Sequence, residues 1–404
     1  MDKLKVIWIC QFTNKEIQTK LPLWKHINEF APWIPNKIKG IQDKDDVELH
    51  VIAPHQYLKK QVYIKEGNIH YYFIPFGIPI IHRRWPWILP VDLLTNFYFV
   101  KKRIRKVVKN IQPDLINIYG TEGTLSSSSA FTFKNKYPVL ISIQGFISEA
   151  QEKPSKKKLS NLNLKKRIEV EERILESFNF FSGDPDSKNY IGKYNDNFTF
   201  YEFVAPINES LMLKETNLDK KYDCVYFGRI TKNKGIEDLV KITRLIKKKK
   251  SSFKLLIIGG GEILTYQKMA CDNGCEDNIE FSGFLENQSD VYQKVAQSRL
   301  FLMTTYFDRL SLAIREAMFL KVPVISYATG SIPTINNDRE NIVLIERGNY
   351  KLMAEKTLNL LKNPKEQENL YNKAFEYAND NFGIEASTNK MLDAYYDILK
   401  RVNL

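Results

Sequence analysis

The 404-residue chain has little cysteine and no long apolar run. Its four cysteines, Cys10, Cys224, Cys271 and Cys275, are too few and too scattered for a disulfide framework, which excludes the small stapled secreted folds. Cys271 and Cys275 stand one helical turn apart with no third and fourth ligand near them in sequence, so two ordinary thiols are expected and not a metal site. No apolar stretch reaches the length that crosses a bilayer. The opening MDKLKVIWICQF holds only a short apolar core and then turns polar, which reads as a first buried strand and not as a signal peptide. A cytoplasmic protein is the expectation.

Hydrophobic residues at 43% and charged residues at 26% describe an ordinary globular protein, and the length exceeds one core, so two domains are expected. Acidic residues are outnumbered unevenly along the chain. Residues 1–200 hold 31 Lys and Arg against 20 Asp and Glu, whereas residues 201–404 hold 29 against 27. Within residues 51–110 the imbalance is 11 to 2. A basic half raises nucleic acid as a partner, but no recognised nucleic-acid motif accompanies it, and no nucleic-acid binding is expected.

Strands alternate with helical segments through the first half. Lys5–Cys10, Val47–Pro54, Ile69–Phe76, Asp114–Gly120 and Pro138–Gly145 read as strands, and FYFVKKRIRKVVKNI as an amphipathic helix, which argues for a parallel sheet with helices on both faces. The polar loop after the first strand carries Thr13 and Asn14 where ligands of open α/β sheets gather. Tyr119 and Gln144 stand at two further strand ends, with Glu122 close by. All three can hydrogen-bond a hydroxyl. Residues 77–109 set Ile80, Ile81, Trp85, Trp87, Ile88 and Leu89 beside His82, Arg83 and Arg84, followed by six basic residues from Lys101 to Lys109. Aromatic wedges beside cations suit an anionic membrane surface; a proline-broken loop with a solvated basic helix is the competing reading. The segment EKPSKKK reads as a loop over the cleft or a solvated linker.

The second half is organised around FDRLSLAIREAMFLKVPVISYATGSIP, Phe307 to Pro333. Leu312, Ala313, Glu316, Ala317 and Leu320 recur at helical spacing, and VPVIS follows as a buried strand. Asp308 and Glu316 bracket the loop and the helix start. Backbone N–H groups near Ser311 and Leu312 face a positive dipole end suited to a phosphate. Earlier, a strand ends at Gly228 and Arg229, and Lys234 and Gly235 open the next helix.

This pattern resembles the donor site of retaining family 4 glycosyltransferases, the glycosyltransferases group 1. Their signature is an acid, seven residues, a Glu followed by Ala and Met, then a Pro-Val strand and a Gly loop. Glu316, Ala317, Met318, Pro323, Val324 and Gly330 match it. Asp308 stands where the family usually has Glu, which shortens the acid's reach by roughly 1.5 Å, and Arg309 and Ser311 replace small glycines. Arg229 and Lys234 match the pair that clamps the donor diphosphate in the family.

The resemblance implies an α/β GT-B fold of two Rossmann-like domains facing across a cleft. Residues 1–204 would bind the acceptor, 205–381 the nucleotide sugar, and the helix in 382–404 would cross back to the first domain. It implies a retaining transfer from a nucleoside diphosphate sugar, most often of UDP or GDP, to a glycan or lipid-linked acceptor in surface polysaccharide or glycoconjugate synthesis. Arg229, Lys234 and Asp308 would be catalytic. Arg229, Lys234, Phe284, Asp308, Ser311, Leu312 and Glu316 would bind the donor, and Thr13, Asn14, Tyr119, Glu122 and Gln144 would lie on the acceptor side. No metal and no cofactor beyond the co-substrate is expected, and the inner face of the cell membrane is the expected location. The alternative is a non-catalytic sugar-nucleotide-binding protein of the same fold, favoured by Asp308 and by the absence of the family's first-domain histidines.

Overall fold

A computed structural model describes residues 3–19, 33–55, 58–75, 95–147, 158–212 and 218–402. Most of the aromatic stretch in 77–109 and residues 152–157 of the EKPSKKK segment lie outside the described residues. The chain forms two units: Met1–Pro206 with Ser387–Leu404, and Ile207–Ala386.

The first unit is built on eight strands: β1 (Leu4–Ile9), β2 (Val47–His55), β3 (Val62–Glu66), β4 (Ile69–Pro75), β5 (Leu115–Tyr119), β6 (Val139–Ser142), β7 (Phe180–Gly183) and β8 (Thr199–Glu202). Their spatial order is β3-β4-β2-β1-β5-β6-β7-β8. All pairs are parallel except β3 with β4. That exception departs from the all-parallel reading. Gly67, at φ 59°, and Asn68 turn the chain directly from β3 into β4, and two residues cannot make a parallel crossover. β3 sits at the sheet edge with only Ile64 buried, so it lacks the apolar run that marked the other strands.

Alternate residues of the central strands feed two cores. Leu49, Val51 and Ala53 face the helix Trp33–Gln42 and the last helix, Ile384–Val402, through Ile34, Ile38, Ile41, Met391, Leu392, Tyr395 and Ile398. Ile7, Ile9, Ile52, Ile116 and Ile118 face the helix Tyr98–Ile111 through Val100, Ile104, Val107 and Val108. Tyr395 is fully buried and accepts hydrogen bonds from Trp8 Nε1 at 2.9 Å and Asn117 Nδ2 at 2.8 Å.

The second unit carries six parallel strands, β9 (Tyr222–Phe227), β10 (Leu255–Ile258), β11 (Ile279–Gly283), β12 (Ser298–Met303), β13 (Val324–Tyr327) and β14 (Val343–Ile345), in the order β11-β10-β9-β12-β13-β14. Its ends are tied together: Ile207 N donates to the Phe382 carbonyl at 2.8 Å and Ile384 N to Glu209 Oε2 at 3.1 Å. Pro206 still belongs to the first unit, where its carbonyl accepts from Asn36 Nδ2 at 3.1 Å. Cys271 is exposed, and Cys10, Cys224 and Cys275 are buried as free thiols. Among the described residues no helix is long and apolar enough to cross a membrane.

Candidate functional site

In the second sheet the strand order reverses between β9 and β12, and a reversal of this kind opens a crevice at the carboxyl ends of the strands. The loops leaving β9 and β12 meet there. The β9 loop passes through Arg229 and a short 3-10 turn, Lys232–Lys234, before Gly235 at φ 70°. A Cβ at Gly235 would run into the Thr304 carbonyl, so only glycine lets the two loops close on each other. Thr304 Oγ1 donates to the Lys234 carbonyl at 3.1 Å, and Tyr306 N donates to the Asn233 carbonyl at 2.9 Å. This interlock sets Lys234 Nζ 2.8 Å from Asp308 Oδ2. The other oxygen of that carboxylate accepts from Arg309 N at 3.0 Å. Both side chains are mostly buried, so the pair is shielded from solvent.

Arg229 is exposed, and its carbonyl accepts from the buried Tyr226 hydroxyl at 3.0 Å, which fixes the backbone just past β9. Ser311 is buried and non-helical, immediately before the helix Leu312–Phe319. Its hydroxyl makes no cap bond to the helix, so the first-turn N–H groups face outward from the helix start.

Glu316 lies one turn into that helix and is partly buried. Its Oε1 accepts from the Tyr292 hydroxyl at 3.0 Å and from Gln288 Nε2 at 3.3 Å. Burial pushes the Glu316 carboxyl up to about 7, against the pull of the Tyr292 hydrogen bond and the Arg315 guanidinium. Burial beside Glu316 likewise raises the Tyr292 phenol, which keeps it a donor. Phe284, following β11, is 74% exposed, and it stands over the glycine turn after β10 near Gly260.

The structure thus brings Lys234 and Asp308 into direct contact and sets Arg229, Ser311, Leu312, Glu316 and Phe284 at the same ends of the same sheet. Sequence reasoning passed over Tyr292 and Gln288. They stand four apart on the amphipathic helix Gln288–Ala296, which is the signal that they share a face. It also passed over Asp238, buried at 1% exposure and accepting from the Tyr306 and Tyr327 hydroxyls beneath the β12 loop.

In the first unit, Gln144 and Glu122 come together beyond β6 and β5. With the Gln144 amide turned to suit its neighbours, its nitrogen donates to Glu122 Oε1 at 3.2 Å and its oxygen accepts from Trp33 Nε1 at 2.7 Å. Thr13 is buried, and its hydroxyl has no partner among the described residues. Asn14 has a local duty: Oδ1 accepts from Ile17 N at 2.9 Å and caps the helix Lys15–Thr19. Tyr119 is 3% exposed, edge-on to Trp8, under the Lys37 ammonium at 4.8 Å, with its hydroxyl on Met391 Sδ at 3.7 Å. Its side chain is therefore committed to the core beneath the last helix.

The model of the family described as glycosyl transferases group 1 matches residues 209–377. That match falls wholly within the second unit. Two curated proteins to which the chain is similar are N-acetyl-alpha-D-glucosaminyl L-malate synthase of Bacillus anthracis and the capsular polysaccharide biosynthesis glycosyltransferase CapM of Staphylococcus aureus. The first is 27% identical over 212 residues, 50% of this chain and 54% of that protein. CapM is 26% identical over 212 residues, 48% of this chain and 52% of CapM. The chain spans about half the length of the curated relatives it matches. Among solved structures, sucrose-phosphate synthase from Thermosynechococcus elongatus has a TM-score of 0.72 at 15% identity, covering 99% of this chain and 100% of that one. That likeness shows the fold, which is GT-B.

Proposed function

We propose that the protein is a retaining glycosyltransferase that takes a sugar from a nucleoside diphosphate sugar, with UDP as the nucleotide, and builds a surface polysaccharide or glycoconjugate. The observation that carries this reading is the Lys234–Asp308 pair, its acid in the loop that leads into the Glu316 helix, at the reversal point of a unit matched by the group 1 model. The diphosphate sits on Arg229, Lys234 and the N–H groups at Ser311 and Leu312. A planar guanidinium takes two phosphate oxygens, while the ammonium neutralises the charge that develops as the sugar–phosphate bond breaks. Glu316 accepts from the ribose hydroxyls, Phe284 carries the base, and Asp308 holds a hydroxyl of the transferred sugar.

When the donor binds, Lys234 exchanges part of its contact with Asp308 for the diphosphate, which frees a carboxylate oxygen for the sugar. The acceptor hydroxyl then bonds to the anomeric carbon on the face from which the diphosphate departs, and the leaving phosphate oxygen takes the acceptor's proton. No general-base histidine is needed in such a step, and two cations stand where a metal ion would otherwise neutralise charge. The names of the relatives, one of an N-acetyl-alpha-D-glucosaminyl product and one of capsular polysaccharide synthesis, support a carbohydrate-building role. Thr13, Glu122 and Gln144 are the acceptor-side residues of this reading.

A peripheral contact with an anionic cytoplasmic membrane surface accompanies it. The helix Tyr98–Ile111 buries Val100, Ile104, Val107 and Val108 and turns Lys102, Arg105, Lys106 and Lys109 outward. The acceptor in this setting is lipid-linked.

The deciding experiment incubates the full chain with UDP- and GDP-sugars and follows nucleotide release, alongside a thermal-shift screen of the same nucleotides. Slow UDP release that falls about 10²- to 10³-fold in Lys234→Ala is expected. Stabilisation by nucleotide without any release would leave the non-catalytic binding protein as the answer.

A further inference from the structure

The first unit carries a second cluster of chemically active side chains that the glycosyl-transfer reading does not use. Glu48 and His50 lie two apart on β2, and His70 pairs with His50 across β2 and β4. All three side chains therefore project from one face, near the amino-terminal ends of the strands. This is the end opposite to that where Glu122 and Gln144 meet. One ligand atom from each lies within 4.8 Å of the others. Glu48 Oε1 is 2.9 Å from His50 Nε2 and 3.7 Å from His70 Nε2.

Two features distinguish this trio from a casual surface group. His50 is 4% exposed, yet its Nε2 has no aligned hydrogen-bond partner among the described residues in spite of the short approach to Glu48. A buried ring nitrogen so placed is costly unless something fills the angle between it and the carboxylate. The outer nitrogens are also held: Tyr63 Oη is 2.9 Å from His70 Nδ1 and Tyr72 Oη is 3.4 Å from His50 Nδ1. When each Nδ1–H donates to its tyrosine oxygen, both Nε2 lone pairs are left facing Glu48, the arrangement by which outer hydrogen bonds orient metal-binding histidines.

We propose that Glu48, His50 and His70 form a binding site for a divalent transition-metal ion of the Zn²⁺ type, oriented by Tyr63 and Tyr72. Imidazole and carboxylate together suit Zn²⁺, and ligand atoms about 2.0–2.2 Å from the ion require the trio, now within 4.8 Å of one another, to draw together around it. Three protein ligands leave a fourth position to water. The nearest cations, Lys5 beside Glu48 and Lys65 opposite His70, are both exposed, so solvent screens their repulsion. The ion joins β2 to β4, and through the hairpin to the edge strand β3, so its role is to lock that edge of the sheet.

The test uses the full chain, stripped with a chelator and titrated with Zn²⁺ by calorimetry and with Co²⁺ by visible absorption. One ion per chain, a Co²⁺ spectrum free of thiolate charge transfer, and a melting temperature that rises with Zn²⁺ are expected. Glu48→Gln and His70→Gln should each weaken binding about 100-fold or more and abolish the rise in melting temperature. Tyr63→Phe, which leaves every ligand in place, should weaken binding about tenfold. No binding to the unaltered protein overturns the proposal, as does binding that survives both ligand substitutions. A thiolate band overturns it too, because it would put the ion on Cys271, and this readout needs no variant to fold.

Discussion

Glu316 is a site side chain whose protonation depends on its surroundings. Its carboxyl, raised from 4.5 to about 7, holds its proton more tightly folded than unfolded. The stability this gives is complete below the unfolded value and is lost as pH rises through about 7. Ribose hydroxyls need the opposite state, an ionised acceptor. UDP affinity measured by calorimetry should therefore increase from pH 6 to pH 8. In Glu316→Gln it should be about 10- to 100-fold weaker, as expected for losing one charged hydrogen bond, with the pH dependence gone. A glutamine variant that kept the same slope would assign the titration to another group. Lys234 and Asp308 could be picked out from the sequence through the family motifs they resemble. Tyr292 and Gln288 could not, because what makes them matter is the Glu316 oxygen they hold, and that contact spans 24 to 28 residues.

Among the elements, strands with both faces covered were legible as apolar runs: β1, β2, β5 and β6 each bury nearly every residue. β3 and β8 escaped for the same physical reason, since each lies at a sheet edge and β3 buries only Ile64 while β8 buries no residue fully. The Glu48–His50–His70 trio was equally hidden, because 20 residues of chain separate two histidines that the β2–β4 register sets side by side. The last helix is amphipathic in sequence, but its polar centre appears only in the fold, where the Tyr395 hydroxyl receives Trp8 and Asn117. Tyr395→Phe keeps the ring and strands both donors. It should lower stability by about 1–3 kcal/mol in chemical denaturation with nucleotide affinity unchanged. A neutral substitution would mean that water or a neighbour replaces the hydroxyl.

Across the molecule, charge divides as the chain does: the excess of basic residues belongs to residues 1–200, and the rest is nearly balanced. Attraction to an anionic surface should then depend on the first unit and weaken with salt. The protein is expected to sediment with anionic vesicles and not with neutral ones. Replacing Lys102, Arg105, Lys106 and Lys109 by Glu should cut the association about 10²-fold or more, at roughly 1 kcal/mol for each cation lost. Equal failure to sediment with both vesicle types would end the membrane reading.

The first unit is assembled from two stretches of chain with the whole second unit inserted between them. During synthesis, Trp8 emerges 387 residues before the Tyr395 hydroxyl to which it donates. The second unit can finish folding while the first still waits with an open seam along Leu49, Val51 and Ala53. A chain cut just after Ala386 would therefore keep the second unit whole and leave the first without the helix that closes its core.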